Sequence, residues 1–569
     1  MRYVPLIIGL FLLTTTSTYA IYDPTSVDNN RVGIHIIDEN DLDDAAKLVN
    51  GASGDWGYVK LVITEEDRKV DKWQAVFDRM RELRLIPIIR LATKVENGAW
   101  RKPRLEDIPT WVDFLDSLNW VVQNRYVTIF NEPNHAKEWG NQLNPEEYAV
   151  ILKDLSIRLR ERSQDFFILP AGLDASAPNG TDTMDELTFL RRAQTAVPEY
   201  FSLIDGWTSH SYPNPDFSGS PYARGRGSVR TYEWELAQIQ KLGAPPLLPI
   251  VIGETGWKHS GGKTQERQYP SPETVATFYL DAFTSAWQHQ QIIAVLPFLL
   301  NYQDEPFDHF SFKQLHSNDF YPAFSALETM AKVSGKPRQL DRVEINLEEF
   351  PSKLVTRSDY NLSIVIHNTG QSIIDEKYGW TIDAPSLPQG FSIAWDTIHA
   401  IKPFETRRLF FKLQTPANPT HFTLRVKLRK DNLIQSEAET FLRVVDPPKL
   451  SISTTQWFRK PTSGDNYQVI IYDQSDTVIH ERNNVVFRNG LSIVDDLYNV
   501  IPGEKYRIVV VKPYYLPRQQ TVVMGEIASD VILPTLLPLD PSNDGALSFL
   551  DVGAVFKNPL HFIGRLISL

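Results

Sequence analysis

The stretch YVTIFNEP, residues 126–133, decides how this chain folds. Its first five residues form an aromatic, aliphatic and β-branched run that is typical of a buried strand, and Asn131, Glu132 and Pro133 follow directly. A second stretch, LPIVIGETGW at 248–257, repeats the pattern and places Glu254 at a strand exit. A carboxylate in such a position is costly unless it is paired or used. Both glutamates are therefore candidates for function.

Short apolar runs alternate with longer amphipathic ones from residue 31 to about residue 333. The predicted strands cover 32–36, 58–63, 86–91, 127–130, 166–170, 204–209, 250–253 and 292–300, and helix-like stretches include 72–83, 108–122, 145–162, 231–242 and 272–288. Eight strands that alternate with helices predict an α/β fold, a (β/α)8 TIM barrel, with both glutamates at C-terminal strand ends. The alternative is an open doubly wound sheet, but no Gly-x-Gly-x-x-Gly follows the first strand.

The pattern changes to period two beyond Pro337. Apolar and polar residues alternate at 362–366 and 422–428, with turn-prone clusters between the runs, which predicts an all-β, sandwich-like region. A further small β region follows Pro447 and Pro448. We therefore expect a multidomain chain, with a signal peptide at 1–20, the barrel at 21–338, a β-sandwich at 339–447, a second β domain at 448–535 and a short tail at 536–569.

Length and composition restrict the classes of function. A chain of 569 residues is too long for one core. Its formal net charge of -12 argues against nucleic acid as a partner and is compatible with an uncharged ligand. Cysteine is absent, so disulfides, thiolate chemistry and thiolate-bound zinc are excluded.

The first twenty residues are typical of an export signal. Arg2 supplies a positive start, residues 4–13 are almost wholly apolar, and small residues up to Ala20 suit cleavage. The apolar run is shorter than the roughly 20 residues that span a bilayer, so a membrane anchor is the weaker alternative. The mature protein is expected to be secreted or associated with the cell surface, with no membrane span.

The two glutamates supply the pair of carboxyl groups that glycoside hydrolysis requires, one proton donor and one nucleophile or base. The amide of Asn131 can bond a sugar hydroxyl beside the reacting carbon. Between the glutamates, His210 and Tyr212 differ by two positions and share one face of an extended chain. A tyrosine can keep a carboxylate ionised, and a histidine can bind substrate or brace the acid. A turn, a salt bridge and a core histidine are the structural alternatives.

Asn131-Glu132 after the fourth strand, His210-x-Tyr212 after the sixth and Glu254 after the seventh resemble the large clan of retaining (β/α)8 glycoside hydrolases. That clan includes cellulases, mannanases, xylanases and β-galactosidases. The resemblance covers about residues 31–335. It implies that Glu132 is the acid/base, that Glu254 is the nucleophile, that the substrate is a carbohydrate, and that catalysis needs no cofactor.

The same resemblance implies supporting residues. The clan often has an arginine at an early strand end close to the nucleophile, for which Arg90 is the best match and Lys60 the second. It also often has a tryptophan at the end of the eighth strand, where this sequence offers Phe298 or Tyr302 instead. Either cation could equally belong to a structural ion pair.

Tryptophans near the two motifs are further candidates. Trp139 and Trp257 follow the two glutamates and are expected to be loop residues that stack on sugars. Others on helix-like stretches, such as Trp73, are expected to pack in the core.

The tail contains DPSNDGALSFLD at 540–551, which has the spacing of a calcium loop. Leu547 at loop position eight is expected to point into a small core. Aspartate at position twelve resembles the dockerin type, but dockerins pair two such loops, so calcium binding is favoured over a cohesin-like partner. The alternative is an Asp-rich turn that caps a helix at 549–556. The oxygen ligands would be Asp540, Ser542, Asp544, Ser548 and Asp551.

Two other classes of protein compete with a glycosidase. A carbohydrate-binding or adhesion protein on a degenerate barrel would usually have lost part of the set formed by both glutamates, Asn131, His210 and Tyr212. A metal-dependent hydrolase would need a His-x-His or His-Glu-x-x-His ligand set, and none is convincing here.

Overall fold

The computed structural model describes residues 21–264, 266–457 and 464–568. The signal peptide predicted at 1–20 lies outside these residues. The chain divides into two compact units, with the boundary between Leu340 and Asp341. The boundary expected at residue 338 lies beside it.

The first unit is a (β/α)8 barrel, as the alternating pattern predicted. Five strands pair in the order β1-β2-β3-β4-β5 and three in the order β8-β7-β6, all in parallel. Parallel bridges from Val32 to Val295 and from Asp174 to His210 join the two groups into a ring. The strands are β1 (Gly33–His35), β2 (Gly57–Thr64), β3 (Leu85–Ala92), β4 (Arg125–Ile129), β5 (Phe166–Pro170), β6 (Trp207–His210), β7 (Ile250–Thr255) and β8 (Ile292–Pro297).

One α-helix follows each strand. Proline occupies the first turn of four of them, where a missing N–H leaves no hydrogen bond unmade. The helix expected at 108–122 ends at Ser117 because Leu118 is extended, and the one expected at 272–288 continues as a π-helical turn, Ala282–Ala286. The helices are α1 (Leu42–Asn50), α2 (Val70–Glu82), α3 (Ile108–Ser117), α4 (Pro145–Arg162), α5 (Glu186–Ala196), α6 (Thr231–Lys241), α7 (Pro272–Asp281) and α8 (Pro322–Thr329).

The two ends of the barrel unit meet. The backbone N–H of Tyr22 donates to Asn124 Oδ1 at 3.1 Å. The backbone N–H of Arg338 donates to the Tyr22 hydroxyl at 3.1 Å. The Arg338 guanidinium lies 5.0 Å from the centre of the Tyr22 ring. The first and last segments of the unit are thus held together.

The second unit begins with two four-stranded sheets, in the orders β9-β11-β14-β13 and β10-β16-β15-β12. Ile364 and Leu413 from one sheet share a core with Val426 from the other, which is the arrangement of a β-sandwich. The period-two pattern predicted this all-β region. Its strands are β9 (Val343–Asn346), β10 (Lys353–Val355), β11 (Asp359–Asn368), β12 (Trp380–Asp383), β13 (Ser392–Trp395), β14 (Thr406–Gln414), β15 (Thr420–Lys430) and β16 (Leu433–Val445).

A second β region has its own core, which includes Tyr467, Ile471 and Ile508. Its sheets have the orders β20-β17-β23 and β19-β18-β21-β22. No helix within the described ranges is long and apolar enough to cross a membrane. The elements are β17 (Lys449–Ser453), β18 (Gly464–Tyr472), β19 (Val478–Phe487), β20 (Leu491–Val494), β21 (Lys505–Lys512), β22 (Tyr515–Val523) and β23 (Ala528–Ile532), followed by α9 (Phe549–Lys557) and α10 (Pro559–Ser568).

Candidate active site

The C-terminal ends of the barrel strands surround a pocket of about 870 Å³. This volume falls in the range of roughly 300–1,000 Å³ that is common for ligand sites. Each strand, or the residues just after it, contributes a lining side chain. In strand order these are His35, Thr64, Arg90, Glu132, Asp174, Tyr212, Glu254 and Phe298.

Glu254 lies near the end of β7 and is 6% exposed. Lys60 Nζ donates to its Oε1 at 3.0 Å and to the Gly253 carbonyl at 3.1 Å. The Tyr212 hydroxyl donates to Oε2 at 3.2 Å. Both carboxylate oxygens are therefore held, and the remaining approach to the group is from the pocket.

Positive charge keeps Glu254 ionised. Arg90 Nη1 lies 3.9 Å from its Oε1. Burial alone would raise the pKa of Glu254, but the positive charge of Lys60 and, at a longer distance, that of Arg90 lower that pKa well below the usual range. Burial also lowers the pKa of His35, whose Nδ1 lies 3.8 Å from Glu254. We therefore take this imidazole to be neutral at neutral pH, in contact with the carboxylate without forming an ion pair.

Glu132 follows β4 on a bent backbone. Phe130 and Glu132 have φ values of +66° and +31°, a region that side chains other than glycine seldom occupy. The Glu132 N–H donates to the Gly172 carbonyl at 3.1 Å. Strain of this kind persists only where the surroundings enforce it, and it is frequent at functional sites. The bend places the Glu132 carboxyl group in the pocket, opposite β7.

His210 stands between the two glutamates. Its Nδ1 lies 2.7 Å from Glu132 Oε1 and 3.9 Å from Glu254 Oε2. One side-chain oxygen of each glutamate and one ring nitrogen of His210 lie within 4.8 Å of one another. Gly172 makes room for the ring, because a Cβ at that position would lie 2.2 Å from His210 Cδ2. The imidazole therefore braces Glu132 directly.

A third carboxyl group, Glu138, lines the pocket next to Asn131. Burial raises the pKa of Glu138 to about 7, against the opposing charge of Arg90, and the Asn131 side chain hydrogen-bonds to it. Among the described residues, Asn131 Oδ1 is buried without a hydrogen-bond partner. Sequence reasoning missed Glu138 and His35. His35 could have been noticed as a polar residue in an otherwise apolar strand. Nothing in the sequence around Glu138 indicated that it would line the pocket.

Aromatic side chains form one wall of the pocket. Phe298 packs edge-on against His35 and Phe307, with ring centres 5.2 Å apart in both cases. Tyr302, the alternative to Phe298, also lines the pocket, as does Phe310. This wall gives a ligand an apolar surface beside the charged groups.

The expected stacking roles of Trp139 and Trp257 are wrong. Both rings are fully buried, at 0% and 1% exposure, and neither lines the pocket. The indole N–H of Trp139 donates to Glu147 at 3.0 Å, and that of Trp257 donates to the Gly219 carbonyl at 2.7 Å. Internal acceptors thus turn both rings inward. Two other tryptophans line the pocket: Trp100, which was not considered, and Trp73, which also packs in the barrel core, as expected.

The tail loop brings three carboxylate groups together, with one oxygen of each within 4.8 Å of the others, from Asp540, Asp544 and Asp551. Ser542 Oγ donates to Asp551 at 2.6 Å, and Ser548 Oγ donates to Asp544 at 3.2 Å. Carboxylate oxygens are ligands that calcium prefers, so the three aspartates fit this ion. Ser548 and Asp551 also form the cap of α9. Leu547 is 65% exposed, so its expected place in a small core is wrong.

No protein-family model matches this chain, and no curated protein matches it. Solved structures similar to it include a family 39 glycoside hydrolase from Bacteroides cellulosilyticus WH2, with 13% identity, a TM-score of 0.37, and coverage of 69% of this chain and 82% of that one. A GH128 endo-β-1,3-glucanase from Sorangium cellulosum has 13% identity and a TM-score of 0.36, over 52% of this chain and 98% of that one. Likeness at these values carries no weight for function.

Proposed function

We propose that this protein is a glycoside hydrolase that retains anomeric configuration, with Glu254 as nucleophile and Glu132 as acid/base. One observation carries the proposal: a carboxylate that is ion-paired with Lys60 lies within 4.8 Å of a second carboxyl group in the same pocket, measured between their nearest oxygens. Retaining enzymes hold their two carboxyl groups about 5–5.5 Å apart, whereas inverting enzymes need about 6.5–9.5 Å to admit a water. A nearest-oxygen distance of at most 4.8 Å is compatible with the shorter, retaining separation between the groups, and on this basis we propose direct attack by Glu254.

The proposed reaction has two steps. Glu254 attacks the anomeric carbon while Glu132 transfers its proton to the departing oxygen, and a glycosyl-enzyme ester forms. Glu132 then takes a proton from water, and the oxygen of that water displaces Glu254 from the sugar. His210, at 2.7 Å from Glu132, would hold the proton donor in place.

The surroundings of Glu254 suit a nucleophile. Lys60 and Tyr212 bond its two oxygens in the free enzyme, so the carboxylate needs little reorganisation before attack. Asn131 also lines the pocket, where its side-chain amide is proposed to bond a sugar hydroxyl. The substrate is proposed to be a β-linked carbohydrate, and the protein is proposed to be secreted because its sequence predicts an export signal at 1–20.

The test replaces each glutamate by alanine, with Glu161→Ala at an exposed position on α4 as a matched control. We expect turnover of aryl β-glycosides to fall at least about 1,000-fold in both variants. Added azide should rescue both, giving an inverted glycosyl azide with Glu254→Ala and a retained one with Glu132→Ala. NMR of wild-type products should show retention. Inversion, or near wild-type turnover in either variant, contradicts the assignment, and glycan binding without hydrolysis favours the adhesion alternative.

We also propose that the loop at 540–551 binds calcium for stability and not for catalysis. The three converging carboxylates of Asp540, Asp544 and Asp551 support this role. Calorimetric titration of the full-length protein should show one calcium site that Asp544→Ala removes, and Asp530→Ala, at an exposed strand position, should keep it. Chelation should speed proteolysis of the tail and leave turnover unchanged. Equal titration curves for both variants would refute the proposal.

A further inference from the structure

A second depression of about 610 Å³ adjoins the active-site pocket. It is formed by the segments that follow β5 and β6, and Pro178, Asn179 and Arg226 are among its lining residues. Ser176 and Asn214 line both cavities. Asn214 Nδ2 donates to Ser176 Oγ at 2.8 Å, so the two cavities adjoin across one hydrogen-bonded pair.

This depression lies on the Glu132 side of the pocket. The Glu132 N–H bonds the Gly172 carbonyl, and the segment that starts there continues to Asp174 and then to the depression. Asp174 Oδ2 lies 3.0 Å from His135 Nε2, which fixes this segment to the residues after β4. In the proposed reaction, Glu132 gives its proton to the glycosidic oxygen of the leaving group, so it must lie beside that oxygen. The departing part of a substrate is therefore expected on this side.

The charges around the depression are already paired. Arg226 Nη2 donates to Asp185 at 2.6 Å, its Nε donates to the Ala175 carbonyl, and its guanidinium lies 4.7 Å from the Trp234 ring centre. What the depression offers a ligand is fixed polar groups with little uncompensated charge. That surface suits a chain rich in hydroxyl groups more than it suits an ion.

We infer that this depression binds the leaving-group portion of a neutral polysaccharide, so that several linked sugars are held beyond the bond that is cut. The inference rests on the proposed function, because it takes Glu132 as the proton donor. It narrows the substrate class from glycosides in general to polymeric chains without charge.

The test fills or trims the depression at residues outside the active-site pocket. Pro178→Trp adds bulk, and Asn179→Ala removes an exposed amide and serves if the first variant folds poorly. Ser325→Trp, at an exposed position on α8, is the matched control. The probes are barley β-glucan, laminarin, glucomannan, galactan and xylan, together with 4-nitrophenyl β-glycosides of the same sugars.

We expect kcat/KM of Pro178→Trp to fall at least about tenfold more on the preferred polysaccharide than on the aryl glycoside, about 1.4 kcal/mol. Asn179→Ala should show the same bias to a smaller extent, and Ser325→Trp should show none. Equal losses on both probes, or a wild-type preference for the aryl glycoside over every polymer, would overturn the inference. If the wild type hydrolyses neither probe, the proposed function fails first, and this inference fails with it.

Discussion

Replacing Lys60 by methionine tests the electrostatics of the site. Lys60 Nζ lies 3.0 Å from Glu254 Oε1, and the two side chains are 1% and 8% exposed. Removing one partner of a buried ion pair costs about 3–5 kcal/mol. Because one pH unit in a pKa corresponds to 1.36 kcal/mol, the loss of Lys60 could raise the pKa of Glu254 by at most about two to four. Arg90, at 3.9 Å, remains as a weaker partner, so we expect a rise of about two units.

The rise should appear in the pH dependence of kcat/KM. Because the nucleophile must be ionised in the free enzyme, the acid limb of the profile should move toward neutral pH. Lys60→Arg should keep most of the wild-type profile, and Lys47→Met, at an exposed lysine on α1, should keep all of it. Because the pKa of Glu254 is lower in the folded protein than in the unfolded chain, where it is about 4.3, ionised Glu254 stabilises the fold above that pH. This stabilisation is lost as the pH falls toward the folded pKa. An acid limb that coincides with the wild type would refute the reasoning.

Three further changes follow from the geometry. Gly172→Ala should push His210 aside, cost about 1–3 kcal/mol of stability in thermal melts and lower kcat about 100-fold, whereas Gly553→Ala, in open space, should do neither. Tyr212→Phe should lower kcat/KM about 10- to 150-fold, which corresponds to about 1.5–3 kcal/mol of lost transition-state stabilisation, and the exposed Tyr222→Phe should not. A kcat/KM of Tyr212→Phe equal to that of the wild type would contradict the role of the hydroxyl. Glu186 and Glu235 are both buried, and burial raises the pKa of each above its value in the unfolded chain. The stability that these two protonated groups contribute is therefore fully present below the pKa of an unfolded glutamate and is lost as the pH rises through their folded pKa values. Relative to the wild type, Glu235→Gln should therefore raise the free energy of unfolding, measured by urea denaturation, by about 1–3 kcal/mol near pH 8 but not near pH 4. An increase that does not depend on pH would show that Glu186 and Glu235 do not titrate in this range.

The sequence alone was sufficient to predict the parts of the fold that come from a repeating pattern of strands and helices. Alternating strand and helix patterns predicted the barrel, because burial on both faces of each strand leaves a continuous apolar run. Glu132 and Glu254 could be placed because each directly follows such a run. The two face one pocket because the ends of parallel strands in a closed barrel converge.

The rest depended on which way individual side chains turn. Arg90 was ranked above Lys60 as the neighbour of the nucleophile, but Lys60 Nζ is nearer to Glu254, at 3.0 Å against 3.9 Å. Both lie within neighbouring strands, and the direction and reach of the side chain decide the order. Trp139 turned inward because an internal acceptor satisfied its indole N–H. Such choices are made by tertiary contacts that no local pattern encodes.

The contact between Tyr22 and Arg338 has a consequence for how the barrel can be built. A closed ring whose ends touch has no obligatory first strand, so the barrel unit, taken without residues 341–569, could be circularly permuted. A short linker could join residues 21 and 340, and new termini could open at Leu247, an exposed loop position between α6 and β7. The nucleophile would then be synthesised before the acid/base. The same eight strands would still close around the same pocket, since the order of synthesis is not what holds the ring together.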